Sequence, residues 1–341
     1  MPEAMLKNIR QIPGISGIVS EIPAEVGSVW PRGEIRKLRE LIESYGLSFE
    51  VVESVKIHED IKLGLPSRDK YIDAFNQTLR NLSSENIKVV CYDFMPVFDW
   101  MRTDTRKILP DGSETLVYYE KDLHKTDPLI NSFALPDWEA FYSPQELARL
   151  FDLYKTVDEN KLWENLAFFL NAVIPVAEEC KIRLGMHPDD PCWPIFGLPR
   201  IITCEENIDR FLSLYDSPYN ALTLCSGSLG CGKDNDVARL VNKYCAMDRI
   251  AFGHMRNVKL LDADRTFEES AHYSSCGSLD FPRIVKAYHD NGFTGYIRPD
   301  HGRMIWGETG SPGYGLYDRA LGAMYILGIW ETLDKFAKSG K

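Results

Sequence analysis

Asp300 and His301 stand side by side in a stretch, Thr294 to Tyr317, that reads TGYIRPDHGRMIWGETGSPGYGLY. A carboxylate is a hard-metal ligand, and an imidazole carries protons at neutral pH. The pair follows Gly295–Arg298, a short β-compatible run that Pro299 stops. Three other residues hold the same place relative to a predicted strand. His187 follows Ile182–Met186, Cys225 follows Ala221–Leu224, and His254 follows Arg249–Gly253. One thiolate, two imidazoles and one carboxylate make a mixed soft and hard donor set that suits Zn, Fe(II), Mn or Co. Singly, each residue has a plain structural explanation as a turn histidine, a core thiol, a strand cap or a charged turn. Together they match the way a barrel enzyme builds its site, from the C-terminal ends of several strands.

Their neighbours extend the chemistry. His254-Met255-Arg256-Asn257 places Arg256 two residues beyond a ligand candidate. An arginine there would hold a substrate carboxylate bidentately, or would pair with Asp189 or Asp190. Arg298 is a second anchor of the same kind, and Asn257 a polar contact beside the first. Asp300 and His301 divide the labour, one toward metal and one toward proton transfer. Tyr314, in the Gly-rich loop that follows, is a further acid or base, or else an aromatic anchor. His272 falls in the long loop after the His254 strand and either reaches the site or fastens that loop. His58 follows another predicted strand and would meet substrate from the opposite side of the mouth.

The elements that must position these groups alternate. Strands are expected at 15–22, 47–54, 88–92, 182–186, 221–224, 249–253 and 295–298. Helices are expected at 31–45, 68–82, 163–180, 205–215, 236–245, 282–289 and 316–336. Repeated βα units with apolar strands and amphipathic helices predict a parallel sheet. No GxGxxG follows the first strand and no GxxxxGK[ST] occurs, which removes the usual nucleotide-binding readings. Polar groups at four strand ends favour a single TIM-type (β/α)8 barrel spanning 1–341. Seven strands leave it one short of the usual eight. Residues 97–160 break the rhythm and read as an inserted cap or lid.

Composition narrows the partners. The 341 residues carry a formal net charge of −11 with no basic stripe, which argues against nucleic acid. No apolar run is long enough to span a bilayer, and no signal-peptide pattern opens the chain, so a cytoplasmic protein is expected. The eight cysteines form no CxxC or CxxH, which argues against a zinc ribbon and fits reduced, mostly buried thiols.

Several stretches resemble the mannonate dehydratase family. They are VESVKIHEDIKLG from Val52, VVCYDFMPVFDWMRTD from Val89, MHPDDPCWPIFGLPRI from Met186, LCSGSLG from Leu224, HMRNV from His254, IRPDHGRMIWGE from Ile297 and PGYGLYDRALG from Pro312. The resemblance implies a TIM-type barrel that uses Mn(II) or Fe(II) to dehydrate D-mannonate, a small sugar acid, to 2-dehydro-3-deoxy-D-gluconate. It implies metal ligands at His187, Cys225, His254 and Asp300, with His301 and Tyr314 as proton carriers. Family members usually open on an Arg-Trp-Tyr-Gly strand, whereas this chain begins almost in the helix that follows it. Asp93 stands where Asn is common, and Cys192 where a second proline is usual. A missing strand would expose two sheet edges, which favours contact with a second copy and hence a homodimer. Two other readings use the same residues. A metal-dependent sugar or sugar-acid isomerase or epimerase needs similar ligands and a proton carrier. A non-catalytic sugar-acid binding protein needs the pocket without turnover.

Overall fold

The computed structural model describes residues 3–123, 142–261 and 265–338. The chain opens with α1 (Glu3–Ile9), β1 (Gly17–Ser20), α2 (Arg32–Ser44), β2 (Ser48–Glu53), α3 (Glu59–Leu63), α4 (Arg68–Ser83) and β3 (Val89–Tyr92). An excursion follows, with β4 (Asp104–Ile108), β5 (Glu114–Tyr118), α5 (Glu120–Leu123) and α6 (Pro144–Tyr154). The alternation resumes with α7 (Glu159–Cys180), β6 (Arg183–Met186), α8 (Glu205–Leu214), β7 (Asn220–Cys225), α9 (Ser226–Gly230), α10 (Val237–Ala246) and β8 (Ile250–His254). It closes with β9 (Asn257–Leu260), β10 (Phe267–Ser270), α11 (Phe281–Asp290), β11 (Tyr296–Arg298) and α12 (Leu316–Lys338).

The main sheet has seven strands in the order β1-β2-β3-β6-β7-β8-β11, and every pair in it is parallel. All seven predicted strands are present. β3, β7 and β8 are buried along their whole length, as expected of strands covered on both faces. Val51, Val89, Cys91, Ala221, Ala251 and Phe252 form one cluster. Val19 of β1 and Tyr296 of β11 both pack against it, so the two outermost strands wall one interior. The sheet is therefore curved around a core, as in a barrel. Among the described residues no ladder joins β1 to β11.

Helices cover the outer face because their apolar residues recur at helical spacing. In α11, Phe281, Ile284, Val285 and Tyr288 are buried. In α10, Val237, Leu240, Val241 and Tyr244 are buried. Carboxylate caps start three of the helices: the side chains of Asp158, Asp236 and Asp280 accept from the backbone of Lys161, Arg239 and Arg283. Among the described residues no helix is long and apolar enough to cross a membrane.

Two departures from the sequence reading matter for the site. The stretch after the His254 strand is not one loop. It holds β9 and β10, which join β4 and β5 in a four-stranded antiparallel sheet, order β4-β5-β10-β9. Two adjacent acids in β10 and a lysine in β9 hid these strands, because they break the apolar pattern expected of a strand. The segment 97–160, read as a cap, supplies β4, β5, α5 and α6, while 124–141 of it lies outside the described residues.

Parallel register brings the strand ends level. Cys225 pairs with His254, and His254 with Arg298. Glu53 pairs with Cys91. One rim therefore carries Glu53, Cys225, His254 and Arg298, each the last residue of its strand.

Candidate active site

The four residues singled out from sequence meet on that rim. Cys225 and His254 end β7 and β8 and are fully buried. His187 follows β6 by one residue, and Asp300 follows β11 by two. One donor atom from each of His187, Cys225 and His254 lies within 4.8 Å of the others. Asp300 completes the group, with Oδ1 3.5 Å from His254 Nδ1 and Oδ2 3.8 Å from Cys225 Sγ. His254 is the telling member. Both its ring nitrogens are buried and neither makes a hydrogen bond, although Nε2 lies 3.1 Å from Glu53 Oε2. A buried imidazole without hydrogen bonds is costly unless something else takes its lone pair. A divalent cation fits this donor set and this orphaned ring.

Charge prepares the set. Burial works against a Cys225 thiolate, but the charge of Arg256, with the adjacent His187 and His254 rings, carries its pKa well below the usual thiol range. Burial alone would lower His187, yet the hydrogen bond and charge of Cys225 push it up to about 10. Asp300 is held well below the carboxylate range, against its burial, by His254, His301 and Arg298. A cation bound there would compete with protons for these ligand atoms.

Asp300 has φ 59°, a left-handed conformation that aspartate tolerates better than most residues. In an extended strand Asp300 and His301 would point to opposite faces. The left-handed turn breaks that alternation, and both side chains line one cavity of about 360 Å³. Tyr314, Arg298, Arg256, His187, Trp100 and Glu53 also line it. The ring of Tyr314 lies 5.3 Å from that of His301. Burial, then the charge of Asp300, keeps its phenol protonated by raising its pKa.

A second charged network stands behind the first. Arg102 donates to Asp190 Oδ1 at 2.7 Å and to Glu269 Oε1 at 2.6 Å. Arg256 donates to Glu269 Oε1 at 2.6 Å, to Ser228 Oγ at 2.8 Å and to Asp190. It also lies 3.2 Å from Asp300 Oδ2 and 3.4 Å from Cys225 Sγ. The sequence reading left Arg256 between a substrate anchor and a partner of Asp190. The structure pairs it with Asp190 and three further anions. Arg102 has 0% side-chain exposure. Replacing it, Arg102→Met, strands part of two buried carboxylates, and urea denaturation should show a loss of about 3–5 kcal/mol.

The remaining candidates divide between the cavity and its surroundings. Arg298 borders the cavity and bonds Asp300 Oδ1 at 2.6 Å, with Glu53 Oε2 at 2.8 Å. Asn257 lies outside the cavity lining and ties the carbonyls of Ala271 and Tyr273. His272 pairs its Nε2 with the carbonyl of Pro299 at 2.7 Å, beside Asp300. It therefore fastens the segment that carries Asp300, one of the two roles open to it. His58 caps α3 through Nδ1 and stacks on Tyr71 at 3.5 Å, against a neighbouring cavity. Sequence reading missed Glu53 and Glu269. Glu53 ends β2, so the strand-end rule that found Cys225 and His254 applies to it as well. Burial would raise it, but Arg298 and His254 bring it down to about 2.

The family model for D-mannonate dehydratase (UxuA) matches residues 3–340. The chain belongs to the D-mannonate dehydratase family. Among curated relatives, the mannonate dehydratase of Thermotoga petrophila is 55% identical over 98% of this chain and 95% of its own length. The mannonate dehydratase structure from Streptococcus suis serotype 2 superposes with a TM-score of 0.90 at 42% identity, over 98% of this chain and 92% of that one. A xylose isomerase-like TIM barrel protein from Mycobacterium smegmatis matches at TM-score 0.53 and 14% identity, over 97% of this chain and 90% of its own. That likeness concerns the fold, and it sets this D-mannonate dehydratase family member among TIM barrels.

Proposed function

We propose that the chain dehydrates D-mannonate to 2-dehydro-3-deoxy-D-gluconate and works with Mn(II) or Fe(II) held by His187, Cys225, His254 and Asp300. The observation that carries the reading is the convergence of these four side chains beside a cavity that His187, Asp300, His301 and Tyr314 line together. Family membership supplies the substrate class.

When bound, the cation would supply Lewis acidity that makes the substrate's C2 proton easier to remove. The chain's own groups do the rest. Arg298 faces the cavity from its rim and anchors the carboxylate, because Arg256 already serves four anions of the protein. Of His301 and Tyr314, one takes the C2 proton and the other protonates the departing C3 hydroxyl. The C2 carbanion's electron pair forms the C2–C3 double bond as water leaves. The enol then becomes the 2-keto acid. Trp100, from the segment read as a cap, borders the cavity beside His301.

Product analysis tests the reading. Metal-loaded protein incubated with D-mannonate should yield a 2-keto-3-deoxy acid, one water lighter than substrate. A product of unchanged composition would mean isomerisation or epimerisation. Binding with no product would mean a sugar-acid receptor.

A further inference from the structure

Glu269 sits on β10, opposite Val258, with 4% of its surface exposed. It reaches from the antiparallel sheet to the barrel rim. His301 Nδ1 lies 2.8 Å and 2.9 Å from its two carboxylate oxygens. Arg102 and Arg256 each donate to the same carboxylate at 2.6 Å. Arg256 Nη1 also lies 3.3 Å from His301 Nδ1, but a guanidinium has donors only. A lone pair on Nδ1 would face carboxylate lone pairs at hydrogen-bond distance. The proton therefore belongs on Nδ1, which donates to Glu269. Among the described residues, the hydrogen-bond partners of His301 all lie on Nδ1. Trp100 and Tyr314 meet the ring edge-on, at 5.4 Å and 5.3 Å, and fix its plane.

We propose that Glu269 is a positioning residue, which holds His301 in the Nδ1–H form and turns Nε2 to the cavity as the atom that exchanges a proton with substrate. The proposal rests on the reading of His301 as a proton carrier. It adds to that reading the atom that acts and the group that selects it. The arginines have a part in this. Without them a carboxylate buried to this degree would itself take up a proton and lose its grip on the tautomer. Burial does oppose its charge, but His301, Arg256 and Arg102 bring its pKa down to about 2.

The test is steady-state kinetics on manganese-loaded enzyme with D-mannonate, for wild type, Glu269→Gln, His301→Asn and the double variant. Glu269→Gln should lower kcat by about 10²-fold or more, as loss of a histidine's carboxylate partner does elsewhere. KM and bound manganese should stay at wild-type levels. The double variant should be no slower than His301→Asn, because Glu269 acts through that ring. An unchanged kcat in Glu269→Gln, or a double variant far below His301→Asn, would overturn the proposal. A second measurement needs no Glu269 variant. Proton NMR of enzyme loaded with diamagnetic zinc should show a far-downfield imidazole N–H that His301→Asn removes. Its absence from wild type would overturn the proposal equally. Wild type that forms no 2-keto-3-deoxy acid would defeat the functional reading instead, and the NMR result would still decide whether Glu269 holds His301.

Discussion

Protein stripped of divalent metal with a chelator is expected to lose D-mannonate dehydration and to recover it on addition of Mn(II) or Fe(II). The C2 proton of a carboxylate-bearing sugar acid is weakly acidic, so a buried base alone is slow. Lewis-acid stabilisation of the developing charge is worth several kcal/mol. At about 1.36 kcal/mol per factor of ten, that is a fall of about 10³-fold or more. Cys225→Ser should reproduce much of the loss at limiting metal. It removes the one thiolate from the donor set and leaves Arg256 with one anion fewer. Rate against added Mn(II) would separate the two effects: weakened binding is rescued by excess metal, and lost chemistry is not. Full turnover by metal-free protein would refute the metal-assisted route.

The second large effect is expected at His301. His301→Asn preserves a polar side chain but removes the group that gains and loses a proton. General acid–base catalysis contributes about 10²–10⁴-fold, and kcat should fall within that range. Bound manganese should be unchanged, because His301 turns toward Glu269, whereas Asp300 lies beside His254 and Cys225. Tyr314→Phe is the companion variant: its ring still packs on His301 while the phenol is gone. Single-turnover measurement of C2–deuterated substrate in the two variants would assign the base, because the variant that lacks it should show the larger isotope effect on the surviving rate.

Much of this site was legible because strand ends are legible. A parallel strand buried on both faces leaves an uninterrupted apolar run, and the first polar residue after it marks the rim. Cys225, His254 and Asp300 follow from that rule, as does His187 from the run Ile182–Met186. The same rule would have found Glu53, at the end of β2, had acids been sought there as well as ligands already in a histidine- or cysteine-bearing motif. Glu269 was beyond it. β10 reads FEES, with two adjacent acids, and nothing in a period of two says that one of them is buried against two arginines from β3–β4 and β8–β9 connections. Asn257, His58 and His272 show the opposite limit. Their residue types suit a substrate contact, but their partners are backbone groups and one stacked ring, set by loop geometry that periodicity does not encode. Arg256 was readable as a cation near the metal group, but not as the hub of four anions, because its partners come from distant parts of the chain.

Anomalous diffraction from crystals of manganese-loaded enzyme, with data on both sides of the manganese absorption edge, tests the central claim most directly. One peak is predicted, within bonding distance of His187, Cys225, His254 and Asp300 together. A peak seated elsewhere, or none at full manganese loading, would contradict the account.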